Sequence, residues 1–327
     1  MIKQSNFKPA WWLSNRHAQT IYPTLTRAVE APVNRLERLE LEDGDFLDLA
    51  WAEKGLPVDA PLVVVLHGLG GNIHSKYAAG LMRAFNLKGW RAVLMHFRGA
   101  SQEPNRLARA YHSGETSDLD WLLRQLAERE PHTKKAVVGF SLGGNVLLKW
   151  LGEQGQQSYA ETAVAVSVPF KLRIIADQIN RGFSRCYQTY LLRKLRTVFT
   201  RKWEKYNNPL QLSASDLENI RCFWTFDEKI TAPLHGFTHV HDYYRKSSSI
   251  HYLKKISTPT LVLHSLDDPF MTSEILPNDD ELSASVTLEV SERGGHVGFI
   301  SGSKLGKPVY WLEQRIPEYL TDFLERQ

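Results

Sequence analysis

The run GFSLGG (139–144) places a serine between glycines two positions to either side, with apolar residues AVV before it and NVLLKW after it. That arrangement predicts a strand turning sharply into a helix with Ser141 at the turn, where Gly139 and Gly143 relieve the crowding. The turn would lift the Ser141 hydroxyl above the sheet and leave the Leu142 N–H at a helix N-terminus. There, with the positive end of the helix dipole, it is suited to hold a developing oxyanion. A second donor is expected from LHGLGGN (66–72), where Gly68, Gly70 and Gly71 allow close backbone approach and Leu69 N–H is the candidate.

A serine hydroxyl needs a base, and the base needs an orienting acid. In a strand–turn–helix arrangement of this kind the chain order is serine, acid, histidine. LVLHSLDDPF puts Asp267 and Asp268 just past one apolar run, and TLEVSERGGHVGF puts His296 in a glycine-rich loop after the next. Asp268 is the preferred acid because a residue before proline is held extended, with Asp267 as the alternative. The chemistry these residues imply is acyl transfer through a covalent serine intermediate.

Other candidates are weaker. His235, His239 and His241, with Asp242, match no metal-ligand spacing, and no metal or other cofactor is expected. His67 is expected to be a packed, hydrogen-bonded histidine rather than a base. Asp227 and Glu228 precede the wrong strand to serve as the acid, and Trp11-Trp12 and Tyr243-Tyr244 are most simply packing.

The elements that must position these groups alternate. RLERLELEDGDFLDLAWA (35–52) reads as a hairpin about Glu42–Asp45. Apolar runs at 61–68, 90–97, 134–140, 162–170, 258–265 and 285–291 read as buried strands, and 75–89, 116–130, 144–153 and 309–327 as helices. Thr116 or Ser117 is the expected N-cap of the second of these helices. This order predicts an α/β fold with a mostly parallel, doubly wound sheet, the hairpin forming an antiparallel edge. The expected organisation is a first core part over 1–170 with an arm at 1–34, an inserted cap over 171–256, and a second core part over 257–327.

The chain has 327 residues, 43% hydrophobic and 23% charged, enough for a substantial core without staples. Cys186 and Cys222 suggest neither a disulfide framework nor a metal site, so a reducing, cytoplasmic setting is expected. MIKQSNFKPAWWLSN lacks the apolar centre of a signal peptide, and no run approaches the ~18 apolar residues of a membrane span. Charge is concentrated: residues 171–205 hold ten Lys and Arg against Asp177 and Glu204. The plain reading is a solvated helical face; the sharper one is attraction to acidic substrates or an anionic membrane surface. Nucleic acid is not expected, since no binding motif accompanies the charge.

SNRHAQTIYPTL (14–25), LHGLGGNIHSKY (66–77), HFRGASQEPNRLARAYHSGETSDL (96–119), GFSLGGN (139–145), FDEKITAPLHGF (226–237), DDPF (267–270) and GGHVGF (294–299) together resemble the YheT-like esterases of the α/β-hydrolase superfamily. That group is related to eukaryotic α/β-hydrolase-domain phospholipases and yeast medium-chain acyl esterases. The resemblance implies an α/β-hydrolase fold and Ser141, Asp268 and His296 as the charge-relay residues. The expected activity is hydrolysis of short- to medium-chain carboxylic esters, on a small-molecule ester or lipid. The alternatives are a phospholipase or acylglycerol lipase, alcohol acyl transfer, or a catalytically silent binding module.

Overall fold

The computed structural model describes residues 1–325. Nine strands form the main sheet: β1 (Ile2–Gln4), β2 (Arg35–Glu40), β3 (Phe46–Ala52), β4 (Leu62–Leu66), β5 (Arg91–His96), β6 (Lys135–Phe140), β7 (Thr162–Val166), β8 (Thr260–Ser265) and β9 (Val286–Ser291). Their spatial order is β1-β9-β8-β7-β6-β4-β5-β3-β2. β1 and β4 to β9 run parallel. The hairpin β2–β3 closes one edge antiparallel to β5, as its sequence suggested.

The apolar runs form strands because both faces of the sheet are covered, and every residue of β4 to β8 is buried. Alternate residues serve opposite faces. Leu62, Val64 and Leu66 pack toward α3 (Ser117–Arg129) and α4 (Leu142–Gln154). Val63 and Val65 pack toward α2 (Lys76–Leu87) and the C-terminal helix Leu312–Leu324.

Between β7 and β8 the chain is helical: α5 (Leu172–Gln178), α6 (Ser184–Lys205), α7 (Ala214–Asn219), a π-helical turn over Asp227–Thr231 and the helix Val240–Ser247. Its longest member, α6, lies across the body of the protein. Ser184 Oγ donates to Pro269 O (2.5 Å), Lys194 Nζ to Gly70 O (3.0 Å), and Lys202 Nζ to Asn105 Oδ1 (2.8 Å) and Arg109 O (2.5 Å).

Several sequence expectations are corrected in detail. The strand expected over 162–170 ends at Val166, because Ser167 turns to φ +52°. The helix expected from 309 begins at Leu312, since Val309–Tyr310 pairs antiparallel with Ile300–Ser301; its expected end at 327 lies outside the described residues. Thr116 stands at the N-cap of α3 without capping it, and Glu115 accepts the Ser117 N–H instead (3.0 Å). Among the elements with no signal strong enough to read are β1, which pairs with β9, and helix α1 (Arg16–Thr26).

Candidate active site

Ser141 follows β6 directly and opens α4, with φ +50° and ψ −117°. Such a backbone is costly for any residue with a Cβ and persists only when its surroundings enforce it. Ser141 N–H donates to Val166 O on β7 (2.8 Å), and Ser141 O accepts from Asn145 N–H (3.0 Å). The glycines are there for space. A Cβ on Gly143 would sit 2.6 Å from His67 O, and one on Gly139 would overlap the Gly143 carbonyl.

Asp268 and His296 come to this serine from the loops after β8 and β9. His296 Nδ1 lies 2.7 Å from Asp268 Oδ2, and His296 Nε2 lies 3.1 Å from Ser141 Oγ. A carboxylate only accepts, so Nδ1 carries the proton and Nε2 is left to accept from the serine hydroxyl. Asp268 is 1% exposed, and its Oδ1 accepts the Phe270 N–H (2.8 Å). Asp267 points elsewhere: its Oδ1 accepts the Gly295 N–H (2.9 Å), and burial raises its carboxyl above the usual range. The two acids therefore divide the work, one facing the imidazole and one fixing the loop that carries it.

That loop is held on three more sides. Ser265 Oγ donates to Gly295 O (2.7 Å), His296 N–H to Thr20 Oγ1 (2.9 Å) and Val297 N–H to Ser167 Oγ (3.1 Å). Ser167, Val297 and Phe299 join Ser141 in having positive φ, so the strain is concentrated around this site. The sequence reading gave Thr20 and Gln19 no role. Gln19, fully buried, donates to Leu13 O (2.8 Å) and Ile300 O (2.9 Å) and accepts from Ile300 N–H (2.7 Å), bracing the histidine loop from the N-terminal arm.

The glycine-rich stretch after β4 folds into a turn closed by Gly71 N–H to Gly68 O (2.9 Å), with Gly70 at φ +64° as such a turn needs. Two of its N–H groups are occupied. Gly68 donates to the Tyr77 hydroxyl and Gly70 to the Tyr111 hydroxyl, each at 2.8 Å. Leu69 N–H, between them, has no acceptor among the described residues, and neither has Leu142 N–H at the start of α4. Tyr77 and Tyr111 were legible only as members of quoted motifs; burial pushes the Tyr111 phenol up to about 12, so it stays neutral.

His67 is the packed histidine expected. It accepts the Phe97 N–H at Nε2 (3.2 Å), leaving Nδ1–H to donate to Gly68 O (2.8 Å), and burial drops it to about 3. The histidines at 235–241 are engaged in structure. His235 Nδ1–H donates to Thr231 O (2.8 Å) while its Nε2 accepts the Ala110 N–H (3.3 Å), His239 Nδ1 accepts the Asp242 N–H (3.2 Å), and Asp242 pairs with Arg245 and Lys246. Among the described residues no cluster of three or more His, Cys, Asp or Glu is arranged to hold a metal ion.

Residues 61–303 match the profile of the alpha/beta hydrolase fold family. The chain belongs to that family. This hydrolase is 45% identical over 324 residues to the Escherichia coli protein named "Putative esterase YheT", covering 98% of this chain and 94% of the other. It is 25% identical to mouse "Phospholipase ABHD3" over 92% of this chain and 75% of that one. Among solved structures, Pyrococcus furiosus esterase Pf2001 superposes with a TM-score of 0.56 at 16% identity, over 91% of this chain and 99% of that chain. That last likeness is one of fold.

Proposed function

We propose that the protein is a serine esterase acting on short- to medium-chain acyl esters through Ser141, His296 and Asp268. The observation that carries this reading is the unbroken relay from Asp268 Oδ2 through His296 to Ser141 Oγ, at 2.7 and 3.1 Å, on a strained strand-to-helix turn. His296 Nε2 takes the hydroxyl proton as Ser141 Oγ bonds to the ester carbonyl carbon. The negative charge passes to the carbonyl oxygen, which the unoccupied N–H groups of Leu69 and Leu142 receive. Collapse breaks the bond to the alkoxy oxygen, which leaves with the proton from His296. Water, deprotonated by the same imidazole, then attacks the acyl-enzyme; the acid departs and Ser141 regains its proton. Asp268 orients the ring and balances the imidazolium in both halves.

Residues 171–256 act as a cap, since α6 bonds both to the acid loop at Pro269 and to the glycine turn at Gly70. A second reading, a lipase or phospholipase meeting an anionic membrane through 171–205, is favoured by the basic composition of that segment and by the phospholipase among the relatives. No helix among the described residues is long and apolar enough to cross a membrane.

The test is hydrolysis of 4-nitrophenyl esters from two to twelve acyl carbons by wild type and Ser141→Ala, with fluorophosphonate labelling of both. Turnover and labelling that vanish together in the variant are expected. Equal hydrolysis by the two proteins, or a wild type that neither turns over nor labels, would overturn the assignment.

A further inference from the structure

Helix α6 presents one stripe, Tyr190, Arg193, Lys194, Thr197, Val198 and Arg201, to a cavity of about 340 Å³ beside the glycine turn. The steps of three and one keep these residues on a single helix face. Leu192, Leu195 and Phe199 turn to the apolar interior, whereas Tyr190, Arg193, Thr197 and Arg201 are exposed, so the stripe forms one side of an open groove and carries three cations. None of the three meets a carboxylate among the described residues. Lys194 Nζ donates to Gly70 O (3.0 Å), Arg201 donates to Gln102 O (2.6 Å), and the Arg193 guanidinium makes no hydrogen bond or ion pair there. Glu103, in the facing loop but outside the cavity lining, is already paired with Arg38 (2.7 Å) and Lys205 (2.5 Å). No Asp or Glu lines the cavity.

The cavity is close to the chemistry. A methyl group added to Gly68 would lie 3.3 Å from Ser141 Cβ, while Gly70 and Gly71 of the same turn form the cavity wall. Two residues of chain span at most about 7 Å, so this wall of the cavity lies within about 12 Å of Ser141 Cβ. We propose that this cavity is a subsite for an anionic group, a phosphate or a carboxylate, carried by the ester substrate. The inference rests on the esterase reading and narrows its substrate class. Arginine forks match both groups in a bidentate fashion, and Lys194 adds a point charge from the turn side.

The experiment compares kcat/KM within two pairs of esters. One pair places the charge on the acyl side, mono-4-nitrophenyl adipate against 4-nitrophenyl hexanoate. The other places it on the alcohol side, butyrylglycerol phosphate against butyrylglycerol. Wild type is expected to favour the charged member of at least one pair. In Arg193→Ala and in Arg193→Ala/Arg201→Ala that ratio should fall by about tenfold or more, the worth of a hydrogen bond to a charged group. Arg193→Ala breaks no hydrogen bond or ion pair among the described residues, so it remains informative if the double variant fails to fold. Arg185→Ala, an exposed arginine of α6 away from the cavity, controls for general charge and should leave the ratio unchanged. Inorganic phosphate is expected to compete with the favoured charged ester.

The proposal is overturned if neither pair shows a preference, if the ratio survives in the Arg193 variants, or if Arg185→Ala lowers it equally. Phosphate that alters kcat on the neutral esters without competing would mark a free-anion site and overturn it as well. A wild type that hydrolyses neutral esters without preference loses only the subsite. One that neither hydrolyses nor labels with a fluorophosphonate loses the esterase reading too.

Discussion

The ring of Phe270 lies parallel to the imidazole of His296, with centroids 4.0 Å apart and planes 10° apart. On Phe270 rests Tyr187 of α6 (4.8 Å), whose hydroxyl meets His17 Nδ1 of the N-terminal arm (3.0 Å). In the proposed mechanism the imidazole becomes a cation, and an aromatic face then contributes about 0.5–2 kcal/mol. Phe270→Leu is therefore expected to lower kcat/KM by about three- to tenfold. Phe270→Tyr should retain the rate, and a Phe270→Leu variant as fast as wild type would show that the ring contributes nothing to the relay.

The two adjacent acids should separate sharply. Asp268→Asn removes the charge facing His296 Nδ1 and is expected to reduce kcat by about 10⁴. Asp267→Asn keeps an oxygen able to accept the Gly295 N–H and should cost less than about tenfold. Steady-state kinetics of the two variants on one ester decide the assignment, and a reversed order would refute it.

Asn145, one turn beyond Ser141 and fully buried, donates to Ser113 O and Ser247 O (2.7 Å each) and accepts from Ser249 N–H (3.0 Å). It thus ties α4 both to the loop before α3 and to the end of the helical insertion. Asn145→Ala strands three buried backbone groups and is expected to destabilise the protein by about 2–4 kcal/mol. Urea unfolding monitored by tryptophan fluorescence measures this directly.

Lys202 is fully buried, and burial pushes its ammonium down to about 7. The folded state therefore releases this proton well before the unfolded chain does, at about 10.4. By linkage, its contribution to stability grows as pH rises from about 7 toward 10 and is lost as pH falls back through 7. Lys202→Met should lack that gain. Melting temperatures of both proteins at pH 6.5 to 9.5 are expected to diverge in the wild type's favour as pH rises; parallel curves would exclude it.

Much of this arrangement was legible because it rests on local pattern. Unbroken apolar runs marked strands buried on both faces, and GFSLGG marked the turn, since only glycine fits at Gly143. The order of Ser141, Asp268 and His296 followed from where those runs ended. What escaped depends on partners distant in the chain. Gln19 meets Ile300, and the polar signature of residues 14–25 gives no hint of which loop it braces. β1 is three exposed residues whose only reason to be a strand is the open edge of β9. Phe270 sits in plain view beside Pro269, yet its ring has a purpose only once His296 lies beneath it.

The pairing of residues 2–4 with 288–290 has a consequence for synthesis. At about 5–20 residues per second, roughly a quarter of a minute to a minute separates the two segments as they leave the ribosome. Through that interval the arm has no histidine loop to clasp and β1 has no strand to pair with. The Ser141 turn is complete in sequence by residue 145 and, in the proposed mechanism, waits for its base. By that mechanism an unfinished chain cannot yet act on esters, because His296 follows β9, the last strand of the main sheet to emerge.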